Sequence, residues 1–264
     1  MIGAIVGDIV GSRFEWDNIK TKNFDLFHPD CHFTDDTVMT LAIAKAILES
    51  HPYLELEKNT IKYMQEMGGK YPDLDYGSSF CAWLFSSKPQ PYYSYGNGAA
   101  MRVSPCGFAA KSWKESLQLA EYVTAVTHNH PEGIKGAKAV CDAIYKARTG
   151  TNLTLISRQI SHIYYRMNFT LDSIRNNYDF DETCLGTVPQ ALEAFFESTS
   201  FEDAIRSAIS IGGDSDTLAA ITGSVAEAYY GVPTDIREKA ESYLDDYLLP
   251  ILREFESKYP WFNM

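Results

Sequence analysis

The sequence lacks several features that mark common classes of protein. Its 264 residues contain five widely spaced cysteines with no CxxC pair, so neither a zinc knuckle nor a disulfide framework is indicated. Acidic residues outnumber basic ones, and the net charge of -12 argues against a protein that holds nucleic acid through its phosphates. No apolar run approaches the roughly 18 residues that a membrane-spanning helix needs. These absences predict a soluble, cytoplasmic protein with reduced thiols.

Signals for strands and for a nucleotide-binding turn are also scarce. The opening segment has no GxGxxG, which argues against a dinucleotide-binding turn. Residues 4–6 alone are compatible with a strand, but Gly3, Gly7 and Gly11 recur every four residues and would line one face of a closely packed helix. We favour the helix. Since no Ser/Gly/Pro-rich linker divides the chain, we expect one domain over residues 1–264.

Helical spacing of apolar residues is abundant. Apolar positions recur at three- and four-residue intervals in eight further segments, which predicts a mostly helical protein. These segments are residues 37–49, 57–67, 113–127, 134–147, 153–165, 201–211, 217–230 and 235–257. Longer loops are expected at residues 16–33, 86–98 and 176–188.

Two acidic strings stand about 180 residues apart, each at the start of a very apolar segment. They are Thr-Asp-Asp-Thr at residues 34–37 and Asp-Ser-Asp-Thr at residues 214–217. Hydroxyl and carboxylate side chains are common helix caps, and each string alone fits that role. A cap needs only one of the two aspartates in the second string, however. The glycines at 212–213 allow both of its carboxylates to turn toward one point.

The helices that follow the two strings are apolar on nearly every side, so we expect both to be central. If their N-termini meet, Asp35, Asp36, Asp214 and Asp216 lie close together and must be neutralised or protonated. Carboxylates and threonine hydroxyls are oxygen ligands that suit Mg²⁺, Mn²⁺ or Ca²⁺ rather than zinc. Four carboxylates suit two ions better than one.

Other residues are candidates for roles beside such a site. Glu15 is either a surface glutamate or, near metals, a general acid or base. Residues 96–102, Gly-Asn-Gly-Ala-Ala-Met-Arg, are turn-prone, and such a segment can present backbone N–H groups to phosphate. The tyrosines at 92–95 offer rings to a base or ribose, or pack within their loop. His128 and His130 lack partner cysteines and suit hydrogen bonding at a cleft, or helix capping, better than zinc.

Taken together, the motifs resemble the ADP-ribosylglycohydrolase family, in the same order along the chain. The matching segments are Phe-Thr-Asp-Asp-Thr-Val-Met at 33–39, the segment 96–102, His-Asn-His-Pro at 128–131 and Gly-Gly-Asp-Ser-Asp-Thr at 212–217. The resemblance implies an all-α, orthogonal helical bundle. It also implies two divalent cations, Mg²⁺ or Mn²⁺, at the bottom of a central cleft that receives ADP-ribose. Where the family commonly has threonine between the two aspartates, this chain has Ser215.

The resemblance also implies roles for individual residues. The metal ligands are expected to be Thr34, Asp35, Asp36, Asp214, Asp216 and Thr217. The carboxylates expected to assist proton transfer are Glu15, Asp35 and Asp36. The residues expected to contact substrate are Tyr95, Gly96, Asn97, Gly98, Met101 and His128.

The function implied by the resemblance is metal-dependent hydrolysis of the glycosidic bond between ADP-ribose and an acceptor. The acceptor is an ADP-ribosylated protein side chain or a small ADP-ribosyl compound. One alternative is a dinuclear metal phosphohydrolase acting on a nucleotide, since paired aspartates bridge ions there too. A second alternative is a non-catalytic relative that binds ADP-ribose or serves structurally. The sequence does not choose the acceptor or the metal.

Overall fold

A computed structural model describes residues 1–50 and 53–260 as helices joined by turns and loops. The helices are α1 (Ile2–Gly11), α2 (Asp35–Leu48), α3 (Leu56–Lys70), α4 (Ser78–Leu84), α5 (Gly98–Met101), α6 (Ser104–Ala109), α7 (Trp113–Ala125), α8 (Pro131–Arg148), α9 (Leu153–Ile163), α10 (Leu171–Ile174), α11 (Cys184–Phe196), α12 (Phe201–Ile209), α13 (Ser215–Tyr230), α14 (Thr234–Glu241) and α15 (Leu248–Lys258). Within these described residues there is no β-strand, and one isolated bridge pairs Gly96 with Thr183. The predicted all-α class is confirmed.

The opening segment is the predicted helix, α1, and it packs antiparallel along α13 through its glycines. Gly3, Gly7 and Gly11 lie so close to the backbone of α13 that a Cβ on any of them would overlap it. At Gly7 the overlap would be with the carbonyl of Ala219. Every residue of α1 is buried. The close packing sets the end of α1 against the start of α13, where the second acidic string stands.

Replacing Gly7 by alanine tests this packing. Because the neighbour is backbone and cannot rotate away, we expect Gly7→Ala to lower the free energy of unfolding by about 3 kcal/mol. Gly69→Ala is the matched control, since Gly69 lies on the exposed side of α3 with open space around its Cα. There we expect a gain of up to about 1 kcal/mol. Urea denaturation gives the free energy of unfolding of each variant. Equal values for Gly7→Ala and Gly69→Ala would contradict the close packing of α1 on α13.

The second central helix is α2, which is buried along almost its whole length. It packs against α3, α6 and α15, and its first turn lies beside α1. Thr34 caps it as predicted, since the threonine hydroxyl accepts a hydrogen bond from the backbone N–H of Asp36 at 3.2 Å. The first acidic string therefore begins a central helix, and it lies near the C-terminal half of α1.

The segment 235–257 was predicted as one helix, which is wrong. It forms α14 and α15, separated by residues 242–247. The carboxylate of Asp245 accepts hydrogen bonds from the backbone N–H groups of Tyr247 and Leu248, both at 2.9 Å. These bonds begin a new helix at a point where apolar spacing alone continues the old one.

The loop predicted at 176–188 is also shorter than expected, because α11 begins at Cys184. The hydroxyl of Thr183 accepts a hydrogen bond from the N–H of Gly186 at 3.0 Å and caps this helix. Pro189 lies inside α11. A proline and a glycine within six residues weaken the helical signal in the sequence, and burial of the following apolar side chains overrides it.

All five cysteines are free thiols, as expected. Among the described helices, none combines the length and the apolar character that crossing a membrane requires.

Candidate functional site

A cavity of about 540 Å³ opens where the first turns of α2, α5 and α13 meet. Five residues of the two acidic strings line it: Asp35, Asp36, Asp214, Asp216 and Thr217. The structure thus brings together two strings that are about 180 residues apart in the sequence. The helix starts meet because α1 and α2 are both central and α13 lies along α1.

The turn before α13 has the backbone shape that its glycines suggested. Gly212 and Gly213 have φ angles of 68° and 81°, in the left-handed region that side chains with a Cβ rarely adopt. Asn18 holds the turn by accepting from the N–H of Gly213 at 2.6 Å and donating to its carbonyl at 2.9 Å. The same amide group of Asn18 donates to the carbonyl of Phe14 at 2.6 Å.

This bridge through Asn18 places the residue after Phe14 against the start of α13. One carboxylate oxygen each of Glu15, Asp214 and Asp216 lies within 4.8 Å of the other two. Asp214 and Asp216 are almost fully buried, and Glu15 is half-buried. This group of three carboxylates could hold a metal ion.

The first string is fixed by a residue that the sequence analysis missed, Asp8. Its carboxylate is fully buried in α1 and accepts from the N–H and the hydroxyl of Thr34, at 2.9 and 2.6 Å. It also accepts from the N–H of Thr37 at 3.1 Å. The available signal was a lone charged residue in an otherwise apolar, glycine-faced helix. Thr34 itself does not line the cavity, since its hydroxyl is engaged by Asp8 and by the cap.

Asp36 links the two strings and carries an unpaired oxygen. Its Oδ2 accepts a hydrogen bond from the hydroxyl of Thr217 at 3.0 Å. Its Oδ1 is buried and has no hydrogen-bond partner among the described residues. Buried carboxylate oxygens without a partner are rare, because loss of hydration costs several kcal/mol. Because carboxylate and hydroxyl oxygens of Asp35, Asp214, Asp216 and Thr217 line the same cavity, a hard divalent cation suits this place.

Burial and mutual repulsion disfavour the charged form of these carboxylates. Burial, and then neighbouring aspartates, raise the pKa of Asp35, Asp36 and Asp216 well above the usual range. The pKa of Glu15 is raised to about 7, first by burial and then by Asp214 and Asp75. Without a cation, the site is therefore strained when its carboxylates are ionised.

This electrostatic strain predicts a pH dependence for the metal-free protein. Carboxyl groups with raised pKa values bind protons more tightly in the folded state, so stability falls as pH rises through the acid range toward about 7, where Glu15 titrates. We expect the melting temperature of protein kept in a chelator to rise as the pH is lowered from 8 to 5.5. The rise produced by Mn²⁺ should shrink over the same change, because protons compete with the metal. A metal-induced rise independent of pH would contradict this electrostatic account.

The segment 96–102 lies at the cavity, but its backbone is largely engaged. The side-chain amide of Asn97 donates to Asp214 Oδ2 at 2.7 Å, so it orients a carboxylate of the acidic string. The N–H groups of Gly96 and Asn97 donate to Ser94 Oγ and to the carbonyl of Glu182. The N–H of Gly98 has no partner within the described part of the chain.

Arg102, which the sequence analysis did not single out, is the one cationic side chain among the described residues that line the cavity. It is only 1% exposed and donates to the hydroxyl of Thr127 at 2.6 Å. His128 also lines the cavity; burial, with the nearby guanidinium, lowers its pKa well below the usual range. His130 instead caps α8 by accepting from the N–H of Glu132 at 3.0 Å. Of the two roles expected for these histidines, the position at the cleft belongs to His128 and helix capping belongs to His130.

Of the other predicted substrate contacts, Met101 lines the cavity and is almost fully buried. Tyr95 stands at its rim with 53% of its surface exposed. Tyr93 is similarly exposed, and both rings meet His130 edge-on, with centroids 4.6 and 5.4 Å away. Tyr92 is half-buried and packs against the core.

Comparison with known proteins shows which family and which relatives this chain is similar to. The sequence model of the family described as ADP-ribosylglycohydrolase matches residues 1–259. The human ADP-ribosylhydrolase ARH3 is 24% identical, over 92% of this chain and 88% of the relative. The ADP-ribosyl-dinitrogen reductase glycohydrolase of Rhodospirillum rubrum is also 24% identical, over 52% of this chain and 47% of its own length.

A solved structure agrees on the fold. A solved chain from an ADP-ribosylglycohydrolase-related protein complex superposes with a TM-score of 0.67 and 22% identity, and the match covers 96% of this chain and 95% of the other. The family match confirms the resemblance carried by the four motifs, and with it the expected class of activity, hydrolysis of ADP-ribosyl glycosidic bonds. On the match over residues 1–259, the chain belongs to the ADP-ribosylglycohydrolase family.

Proposed function

We propose that this protein releases ADP-ribose from ADP-ribosylated protein side chains, and that it uses two divalent cations, Mg²⁺ or Mn²⁺, to do so. The observation that carries the proposal is the meeting of two acidic helix starts around one cavity, where Asp36 Oδ1 is buried without a hydrogen-bond partner among the residues that the structure describes. A carboxylate oxygen in this position needs a positive partner. The free thiols are consistent with a cytoplasmic location, which we also propose.

The residues present fit such ions. In the proposal, Glu15, Asp214 and Asp216 would hold one cation, and Asp35, Asp36 and Thr217 would help to hold the other. Thr34 stays a predicted ligand, since its hydroxyl also binds Asp8. When bound, such cations polarise hydroxyl and water oxygens and lower the pKa of water.

The protein's own groups would orient the substrate and move the proton. Asn97 fixes Asp214, and Thr217 fixes Asp36, so these carboxylates are held in place before substrate arrives. Glu15, with a pKa of about 7 in the metal-free protein, is suited to exchange a proton near neutral pH. The acidic surroundings stabilise positive charge that develops on the ribose ring as the glycosidic bond breaks.

The diphosphate of ADP-ribose is anionic, so it needs partners other than these carboxylates. Arg102 supplies positive charge at the cavity wall, and the N–H of Gly98, which has no acceptor within residues 1–50 and 53–260, is available as a donor. Tyr95 at the rim offers a ring on which a base could stack. We propose these residues, with Met101 and the neutral imidazole of His128, as the contacts of ADP-ribose away from the reacting bond.

The product that is released distinguishes the proposed hydrolysis from the two alternative functions. We expect protein incubated with an ADP-ribosylated peptide and Mn²⁺ to release free ADP-ribose, detected by chromatography. Inorganic phosphate from a nucleotide, with no ADP-ribose, would instead indicate the nucleotide phosphohydrolase. Calorimetry that shows ADP-ribose binding without any release would indicate the non-catalytic alternative.

A further inference from the structure

Two stacked aromatic rings stand beside Glu15 at the mouth of the cavity. The rings of Trp16 and Phe180 have centroids 5.1 Å apart and planes inclined by 19°. Trp16 is 72% exposed and Phe180 is 38% exposed, and both line the cavity. Large exposed rings at a cavity mouth leave a flat face uncovered, on which a planar group can stack.

The position of this pair assigns it to one end of the substrate. Trp16 directly follows Glu15, whose carboxylate is within 4.8 Å of those of Asp214 and Asp216. If the glycosidic bond is broken there, the acceptor leaves past Trp16. The exposed tyrosines at 93 and 95 instead stand with His130, beside the segment 96–98. The two aromatic groups are separate sets of rings in the cavity lining, and the bridge between Gly96 and Thr183 joins the segments that carry Tyr95 and Phe180.

The cavity lining near the Trp16–Phe180 pair carries exposed negative charge. Asp75 and Glu182 are exposed carboxylates that line the same cavity, and both lie near enough to Glu15 to raise its pKa. The one cation among the described lining residues, Arg102, is 1% exposed and cannot neutralise the mouth. A neutral acceptor gains nothing from these carboxylates, whereas a cationic one does.

We propose that Trp16, Phe180, Asp75 and Glu182 form an acceptor subsite that selects ADP-ribose linked to arginine. A guanidinium is planar and cationic, so it can stack on an aromatic face while its N–H groups donate to carboxylates. A serine acceptor has neither a plane nor a charge. This inference rests on the proposed function and specifies its substrate.

The reaction balances without any further reagent. Water oxygen forms a bond to the anomeric carbon of the ribose as the bond from that carbon to the guanidinium nitrogen breaks. One water proton passes to that nitrogen, by way of a carboxylate such as Glu15. The products are ADP-ribose and a free arginine side chain, which keeps its positive charge against Asp75 and Glu182.

Two peptides of the same sequence, ADP-ribosylated on arginine in one and on serine in the other, test the subsite. We expect the wild-type protein to have the higher kcat/KM on the arginine-linked peptide. Trp16→Ala should lower that value about tenfold and leave the serine-linked value nearly unchanged. Trp16→Phe should recover most of the loss, because it keeps an aromatic face.

Matched variants separate stacking from charge. Phe180→Ala should act like Trp16→Ala, whereas Phe85→Ala, at an exposed phenylalanine outside the cavity lining, should change neither substrate. Asp75→Asn combined with Glu182→Gln should lower kcat/KM on the arginine-linked peptide only, and added salt should reduce this difference. Equal losses on both substrates, or a wild-type preference for serine, would overturn the subsite.

A binding measurement separates this inference from the proposed function. Calorimetry in a chelator compares the affinity of ADP-ribosyl-arginine with that of free ADP-ribose. Tighter binding of the arginine compound, lost in Trp16→Ala, supports the subsite even if no hydrolysis is seen with Mn²⁺, a result that overturns only the proposed function. Equal affinities for the two compounds overturn the subsite, whatever the activity.

Discussion

Replacing Asp36 and Asp216 together by asparagine should lower the release of ADP-ribose roughly a thousandfold or more. Both side chains are almost fully buried, and each contributes negative charge to the place where we propose the cations. Asparagine keeps the size and one acceptor oxygen, so Thr217 can still donate to residue 36. The loss should therefore come from metal binding and not from unfolding.

Two melting-temperature measurements and a control variant distinguish loss of metal binding from unfolding. Differential scanning fluorimetry in a chelator should give the variant a melting temperature at least as high as that of wild type, because the substitutions remove two buried carboxylates whose mutual repulsion raises their pKa values. Mn²⁺ should raise the melting temperature of wild type only. Asp73→Asn with Asp235→Asn changes the net charge equally at exposed positions outside the cavity, and should behave as wild type. Full turnover by the Asp36 and Asp216 double variant would rule out the metal site proposed here.

Glu15→Gln should lower kcat about a hundredfold to ten-thousandfold, the range lost when a general acid or base is removed. Glutamine preserves the shape of the side chain but cannot exchange a proton. If Glu15 acts mainly in proton transfer, KM and the Mn²⁺-induced rise in melting temperature should stay close to wild type.

The same variant tests the other role that the geometry allows. Glu15 stands with Asp214 and Asp216 in the group that could hold an ion. A lost Mn²⁺ response, with kcat restored at high Mn²⁺, would assign Glu15 to metal binding instead. Glu57→Gln, at an exposed glutamate in the first turn of α3, is the control and should change neither quantity. Unchanged kcat in Glu15→Gln would contradict both roles.

The role of the acidic strings could be predicted because it depends on residues that are neighbours in the sequence. Two aspartates after a pair of glycines, at the start of a helix that is apolar on nearly every side, are not explained by capping alone. The structure agrees: Gly212 and Gly213 adopt left-handed backbone, and Asp214 makes no side-chain cap bond. The four-residue spacing of glycines in α1 likewise predicted the close packing that sets the two strings together.

What the sequence did not predict depends on contacts between distant segments. Asp8 supports Thr34 across 26 residues, and Asn18 bridges to Gly213 across 195. The periodic spacing of apolar residues carries no information about contacts between residues so far apart in the sequence. Asn97 was expected to touch substrate, which stays a prediction; its amide also donates to Asp214, a contact that only the approach of α5 to α13 reveals. The assignments of metal ligands, catalytic groups and a single domain over residues 1–264 stay predictions.

The most direct test is a metal titration of turnover. Protein stripped with a chelator and dialysed is mixed with an ADP-ribosylated peptide, and free ADP-ribose is followed by chromatography as Mn²⁺ or Mg²⁺ is added. We predict no release without metal and a saturable return of activity, absent from the variant that lacks both Asp36 and Asp216 carboxylates. Release at the full rate in the chelator would contradict the claim that these two acidic helix starts form the catalytic metal site.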